Sequence, residues 1–220
     1  MRHKNTPAVD VSHLAAFDID GAIREAADRV NTHGSRRNFL RGAGIIAGGT
    51  AVAGMLPASA LAANGDTAIL NYALTLEYLE EAFYARALKQ AGLTGAYKRF
   101  ATTVHAHEAA HVTALKKALG SSAVKKPSFD FKGTTASQNA FAQTAIVLED
   151  TGVKAYQGQA ANIKSQAVFK AAIAIHPVEA RHAAWIRNIV GQNPAPDSFN
   201  PAASKSEVLA AVTGTGFITG

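Results

Sequence analysis

Four glutamates and two histidines recur at matched positions along this 220-residue chain. Glu77 is followed seven residues later by Tyr84, and Glu149 by Tyr156. Downstream of the first pair stands Glu108-Ala109-Ala110-His111, and downstream of the second Glu179-Ala180-Arg181-His182. The step from Glu77 to Glu108 is 31 residues and that from Glu149 to Glu179 is 30. Residues three apart on a helix share a face, so each Glu-x-x-His can turn both side chains into one interior. The set offers four carboxylates and two imidazoles, hard and borderline donors that suit iron or manganese. Four carboxylates nearly balance two divalent ions. Without metal they would repel one another, and some would stay protonated. The chain has no cysteine, which excludes thiolate metal sites, Fe–S clusters, disulfides and a cysteine nucleophile.

Other polar residues border the same stripe. His105 and His176 each lie three residues before the Glu of their motif, giving His-x-x-Glu-x-x-His twice. They read either as additional ligands and hydrogen-bond partners of ligands or as polar core and surface histidines. Glu80 and Glu81 flank Glu77, and either could assist or replace it, but only Glu77 has the tyrosine at plus seven. Tyr84 and Tyr156 are candidates to hydrogen-bond ligand carboxylates across the interior, or to be plain core. His107 has no counterpart in the repeat and reads as a surface residue. Asp150 reads as solvated and Trp185 as core.

Helices must position these residues. Apolar positions recur at helical spacing through Leu70, Leu74, Leu76, Phe83, Ala87 and Leu88, with Asp66 as N-cap and Gly92 as stop. A second helix is expected over about 96–119 with Gly120 as C-cap, a third over about 135–163, and a fourth over about 166–190. Pro177 should kink the fourth. The links within the first and second pairs are short, so each pair should be antiparallel. The link over 121–133 is long; about thirteen extended residues can reach ~43 Å, enough to run the length of a bundle. A tail over 193–220 is rich in Pro, Ser and Ala, with a short helix near 204–212 capped by Ser204 or Ser206, and is expected to pack across the bundle.

The segment Leu76-Glu77-Tyr78-Leu79-Glu80 with Phe83-Tyr84, then Glu108-x-x-His111, Glu149 and Glu179-Ala-Arg-His182, resembles the bacterial ferritin-like domain family that includes desiccation-related proteins. The resemblance covers about 66–190. It implies an all-α, ferritin-like four-helix bundle over 63–192 with a long crossover between helices two and three. It implies Glu77, Glu108, His111, Glu149, Glu179 and His182 as ligands of two iron ions, or manganese as the alternative, with Glu108 and Glu179 as bridges. It also implies dioxygen or peroxide chemistry at the metals.

The N-terminal region, 1–62, reads as an address. Ser35-Arg36-Arg37-Asn38-Phe39-Leu40-Arg41 precedes a weakly apolar run ending in Ala58-Ser59-Ala60-Leu61-Ala62. Paired Arg36 and Arg37 before Phe-Leu resemble a twin-arginine signal, with cleavage near Ala62 and Ala60 as runner-up. The run over 42–62 is about long enough to span a bilayer at ~20 residues, but it holds five glycines and a proline. A cleaved signal is therefore the expectation and a retained membrane anchor the alternative. Residues 1–34 form a long extension before the arginines, in which His3, His13 and His33 are isolated.

Net charge is +6. The local excess at Lys116, Lys117, Lys125, Lys126 and Lys132 surrounds the long link and reads as a solvated loop, so no nucleic-acid partner is expected. The expected partners are the twin-arginine export machinery and a small oxidant such as dioxygen or peroxide, with homo-oligomerisation open. The chain is expected in the periplasm or otherwise exported. The functional expectation is ferroxidase or peroxide-scavenging redox chemistry. The rival is a non-enzymatic stress, desiccation-protection or structural bundle with a structural or vestigial metal site.

Overall fold

The computed structural model describes residues 66–219. The signal features, Arg36, Arg37, the cleavage site near Ala62 and the extension before them, lie outside the described residues. Five helices follow in order: α1 Thr67–Gln90, α2 Gly95–Leu119, α3 Gln138–Gln159, α4 Gln166–Ile189 and α5 Lys205–Thr215. Single 3-10 turns, Gly120–Ser122 and Ala160–Asn162, extend the ends of α2 and α3. Among the described residues no helix is long and apolar enough to cross a membrane.

Local chemistry sets the helix ends. Ser137 caps α3 by accepting from Ala140 N at 3.2 Å, and Ser165 caps α4 by accepting from Val168 N at 3.4 Å. The expected start of the third helix near 135 therefore shifts to Gln138. Ser204 and Glu207 form a reciprocal capping box at α5. Asp66 occupies the N-cap position of α1, but its side chain does not cap it. Its carboxylate accepts from the backbone N–H groups of Lys164 and Ser165 (2.9 and 2.8 Å), fastening the entry of α1 to the entry of α4. Helix α4 runs unbroken through Pro177.

The four long helices make one bundle of two hairpins, α1 with α2 and α3 with α4. The link between the hairpins starts beside the first turns of α1, where Asn71 binds Ser122 O and Val124 N. It then follows α1: Lys126 pairs with Glu81, Phe131 stacks edge-on against Phe83, and Thr135 reaches Gln90. That path is the full-length crossover of a ferritin-like bundle. The crossover is itself tied down. Phe129 forms an antiparallel bridge with Ile218, and Asp130 N donates to Phe217 O at 2.8 Å.

Two apolar clusters fill the bundle. At the end where α1 stops, Phe83, Phe100, Phe131 and Phe141 pack with Tyr84 as a dense aromatic group. Each such buried ring contributes on the order of 1.5–3 kcal/mol. At the other end Leu70, Leu74, Leu115, Leu119 and Val168 form a smaller aliphatic cluster. Helix α5 lies on α3, with Val208 and Val212 buried. The tail approaches α3 so closely that a Cβ on Gly158 would stand 1.9 Å from Ala203 O. Glycine is thus required at 158 for the tail to dock.

Candidate metal centre

The middle of the bundle, between those clusters, is polar. Glu77, Glu80, Glu108, Glu149 and Glu179 all sit there with at most 3% of their surface exposed, together with His182. Carboxylates avoid such burial unless something compensates them. Helical spacing brings them in: each long helix turns one glutamate of the repeat inward.

The distances describe two groups. His111 Nδ1 lies 3.1 Å from Glu77 Oε2, 3.1 Å from Glu108 Oε2 and 3.2 Å from Glu179 Oε1. His182 Nδ1 lies 3.2 Å from Glu108 Oε1, 3.1 Å from Glu149 Oε2 and 3.7 Å from Glu179 Oε2. One ring nitrogen cannot donate to three acceptors. Neighbouring ligands on an ion, each at ~2.1 Å and roughly 90° apart, stand about 3 Å from one another, which is the spacing seen here. Two sets can therefore each hold a metal ion: Glu77, Glu108, His111 and Glu179, and Glu108, Glu149, Glu179 and His182. Glu108 and Glu179 belong to both. Glu108 Oε1 and both oxygens of Glu179 are buried and accept no directed hydrogen bond. Unsatisfied buried oxygens of this kind fit a cation better than a proton donor.

The electrostatics say the same. Burial, reinforced by the Glu179 charge, pushes the Glu108 carboxyl well above the usual range. Burial also lifts Glu149 to about 7 and Glu80 well above normal, the latter with four neighbouring glutamates adding to it. Glu179 is the exception: His111 and His182 overcome the burial penalty and hold it at about 2. His182 is lifted to about 12 by Glu108, Glu149 and Glu179 against the effect of burial. Metal-free, the site keeps protons where cations would sit.

The tyrosines brace the carboxylates across the bundle. Tyr84 of α1 donates to Glu149 of α3, and Tyr156 of α3 donates to Glu77 of α1 at 2.5 Å. Each hairpin thus holds the other's glutamate by its outer oxygen. Glu80 and Gly152 occupy equivalent positions, three residues after Glu77 and Glu149. A Cβ on Gly152 would stand 3.3 Å from Glu80 Oε1, so the empty position in one hairpin accommodates the fifth carboxylate from the other.

The remaining candidates fall elsewhere. His105 is a third exposed and faces Glu81 at 3.6 Å, outside both groups. His176 is also outside them, with a buried Nε2 lacking a partner. Asp150 pairs with Arg187, and Trp185 packs edge-on against Phe100 while staying about a third exposed.

His107 is exposed, as the surface reading expects, yet its ring also reaches the site. Its Nδ1 lies 2.8 Å from His182 Nε2, and the two rings stack at 5.1 Å. Burial and the adjoining His182 lower the basicity of His107, which keeps it a neutral acceptor. It can therefore take the Nε2–H of His182, leaving the His182 Nδ1 lone pair for a metal. The repeat hid this residue, because the position four before His182 is Val178. Among the described residues, only His182 of the two is braced in this way. His107→Ala is expected to weaken metal binding at the His182 position by about 10–100-fold and leave the His111 position intact. Competitive chelator titration with two resolved steps would show it; an equal loss at both positions would refute it.

The family model described as the ferritin-like domain matches residues 65–192. Among curated proteins, none matches the chain.

Proposed function

The chain belongs to the ferritin-like domain family, and on that premise we propose that it is an exported dinuclear metalloprotein whose two iron ions react with dioxygen or peroxide. The observation that carries this reading is the pair of metal-capable groups sharing Glu108 and Glu179. Glu77 and His111 would complete one position, Glu149 and His182 the other. Iron is the ion that combines the carboxylate-rich donor set with redox chemistry, and manganese is the alternative. Two such ions, when bound, supply paired one-electron redox chemistry toward a small oxidant.

The protein's own residues have defined tasks. Glu108 and Glu179 would link the two positions, so a change of charge at one is felt at the other. Tyr84 and Tyr156 hold Glu149 and Glu77 by hydrogen bonds and limit their movement. Glu80 keeps a proton beside the cluster. The surrounding apolar packing excludes water, which strengthens every charge interaction inside. No cysteine exists to build a resident electron relay, so electrons would come from Fe²⁺ as substrate or from a separate donor. Ferroxidase or peroxide-scavenging activity are the concrete forms.

Export rests on Arg36, Arg37 and the alanine-rich run ending near Ala62. A twin-arginine route would pass the bundle folded, with metal chosen in the cytoplasm, and a periplasmic or otherwise exported location follows. Protein recovered from its native host is expected to carry about two metal ions per chain and to consume oxygen on addition of Fe²⁺. A fully folded preparation without metal that takes up none would end the metal reading. Two ions without turnover would leave a structural site.

A further inference from the structure

A cavity of about 360 Å³ opens between all four long helices on the side of the metal centre away from the aromatic cluster. Its walls are mostly aliphatic, with Leu70, Leu76, Leu115, Val168 and Ile175 among them, and Tyr72, Tyr156, Gln159 and Gln166 add polar atoms. An apolar cavity of ~150 Å³ stays dry and takes up benzene, and ligand pockets span roughly 300–1,000 Å³, so this space is ligand-sized. It is also long. Along α4 the wall extends from Gln166 to Ile175, which at the helical rise is about 14 Å.

The two ends differ. The inner end reaches Leu76, Ile175 and Tyr156. Leu76 adjoins Glu77, Ile175 lies one turn before Glu179, and the Tyr156 hydroxyl is bonded to Glu77. Among the described residues of the wall, the charged ones are Lys117 and Lys170, both exposed and both basic. Lys117 is six residues past His111 and Lys170 nine before Glu179, so both stand roughly 9–14 Å from the centre along the bundle. An apolar shaft with cations at its mouth and carboxylates beyond its floor selects an occupant with an anionic head and an alkyl tail.

We propose that this cavity binds a medium-chain alkyl carboxylate, its carboxylate at Lys170 and its chain end against Tyr156 beside the metal centre. Binding follows from the shaft itself; that the occupant is presented to a redox-active centre rests on the function proposed above.

Isothermal titration of decanoate into the full, metal-containing chain is the test. One equivalent should bind at micromolar affinity. Octanoate should bind more weakly, each methylene being worth about fourfold until the shaft is filled. Ala171→Trp, which puts an indole into the wall, should lose at least tenfold in affinity with metal content unchanged. Lys170→Gln should weaken decanoate and leave decanol unaffected. Absence of saturable binding, an affinity independent of chain length, or full binding in Ala171→Trp at unchanged fold would overturn the proposal. The chain-length series needs no variant, so a poorly folding Ala171→Trp does not protect it. Decanoate binding to a chain that holds no metal would retire the metal reading and keep the cavity; two bound ions without decanoate binding would do the reverse.

Discussion

Replacing Glu108 with alanine is expected to empty both metal positions at once. The two oxygens of Glu108 face different histidines, Oε2 at 3.1 Å from His111 and Oε1 at 3.2 Å from His182. Its removal takes a ligand from each group. Glu77→Ala and Glu149→Ala each take a ligand from one group only. Metal analysis should therefore separate the variants into two classes, near zero for Glu108→Ala and near one ion for the others. Fe²⁺-dependent oxygen uptake in Glu108→Ala should fall by more than the ~10–100-fold typical of losing a mere supporting contact. Stability supplies an independent sign. Glu108 is buried and held against its charge by Glu179, so the metal-free variant should melt no lower than the metal-free parent. A marked drop in metal-free melting temperature would show that Glu108 works as a structural hydrogen-bonding residue.

The second large effect is an inversion of pH dependence by metal. Glu149, lifted from 4.5 to about 7, and Glu80 and Glu108, also pushed up, bind protons more tightly folded than unfolded. Their contribution to stability is complete below the ordinary carboxyl value and is lost as pH rises through their folded values. His182, lifted to about 12, and His111, also raised, act in the same direction above the ordinary 6.5. Glu179, held at about 2, has the opposite sign: its contribution is present above 4.5 and disappears as pH falls toward 2. The chelated protein should accordingly be most stable near pH 5 and lose roughly 10 °C in melting temperature by pH 8. Loaded protein should follow the reverse course over that interval. Its ligands must be deprotonated to bind, and bound metal stabilises the fold by mass action. Melting curves at pH 5, 6, 7 and 8, with chelator and with added Fe²⁺ or Mn²⁺, would establish the inversion. Parallel pH profiles would show that the carboxylate cluster does not govern stability.

Much of this was readable from spacing. Helical periodicity and two short links imply two hairpins, and the long link implies a crossover, because chain reach and helix length are fixed by backbone geometry. The paired Glu-x6-Tyr and Glu-x-x-His motifs singled out the residues that the bundle gathers. What escaped was asymmetric or long-range. His107 breaks the repeat, since Val178 holds the matching place, so a rule based on repetition passes over it. The pairing of Glu80 with Gly152 needs two hairpins face to face before the missing side chain means anything. Asp66 looks like a helix cap, yet its oxygens turn to Lys164 and Ser165, nearly a hundred residues on. The cavity is invisible for a different reason. Its alanines and leucines have the composition of filled core, and only the third dimension shows the cavity that they line.

The crossed tyrosines have a consequence for the order of folding. Each hairpin is local in sequence and can form early, because short loops close at low entropic cost. Neither hairpin alone contains a complete ligand set: His111 needs Glu179, and His182 needs Glu108. Tyr84 and Tyr156 likewise have their acceptors only after docking. The crossover that permits docking is fastened by residues 217–219, at the far end of the described chain. Any metal capture would thus be a late event that follows hairpin association, since a chain still emerging from synthesis presents an incomplete ligand set. An ion held in both positions would then report, by its presence alone, that the entire bundle has closed.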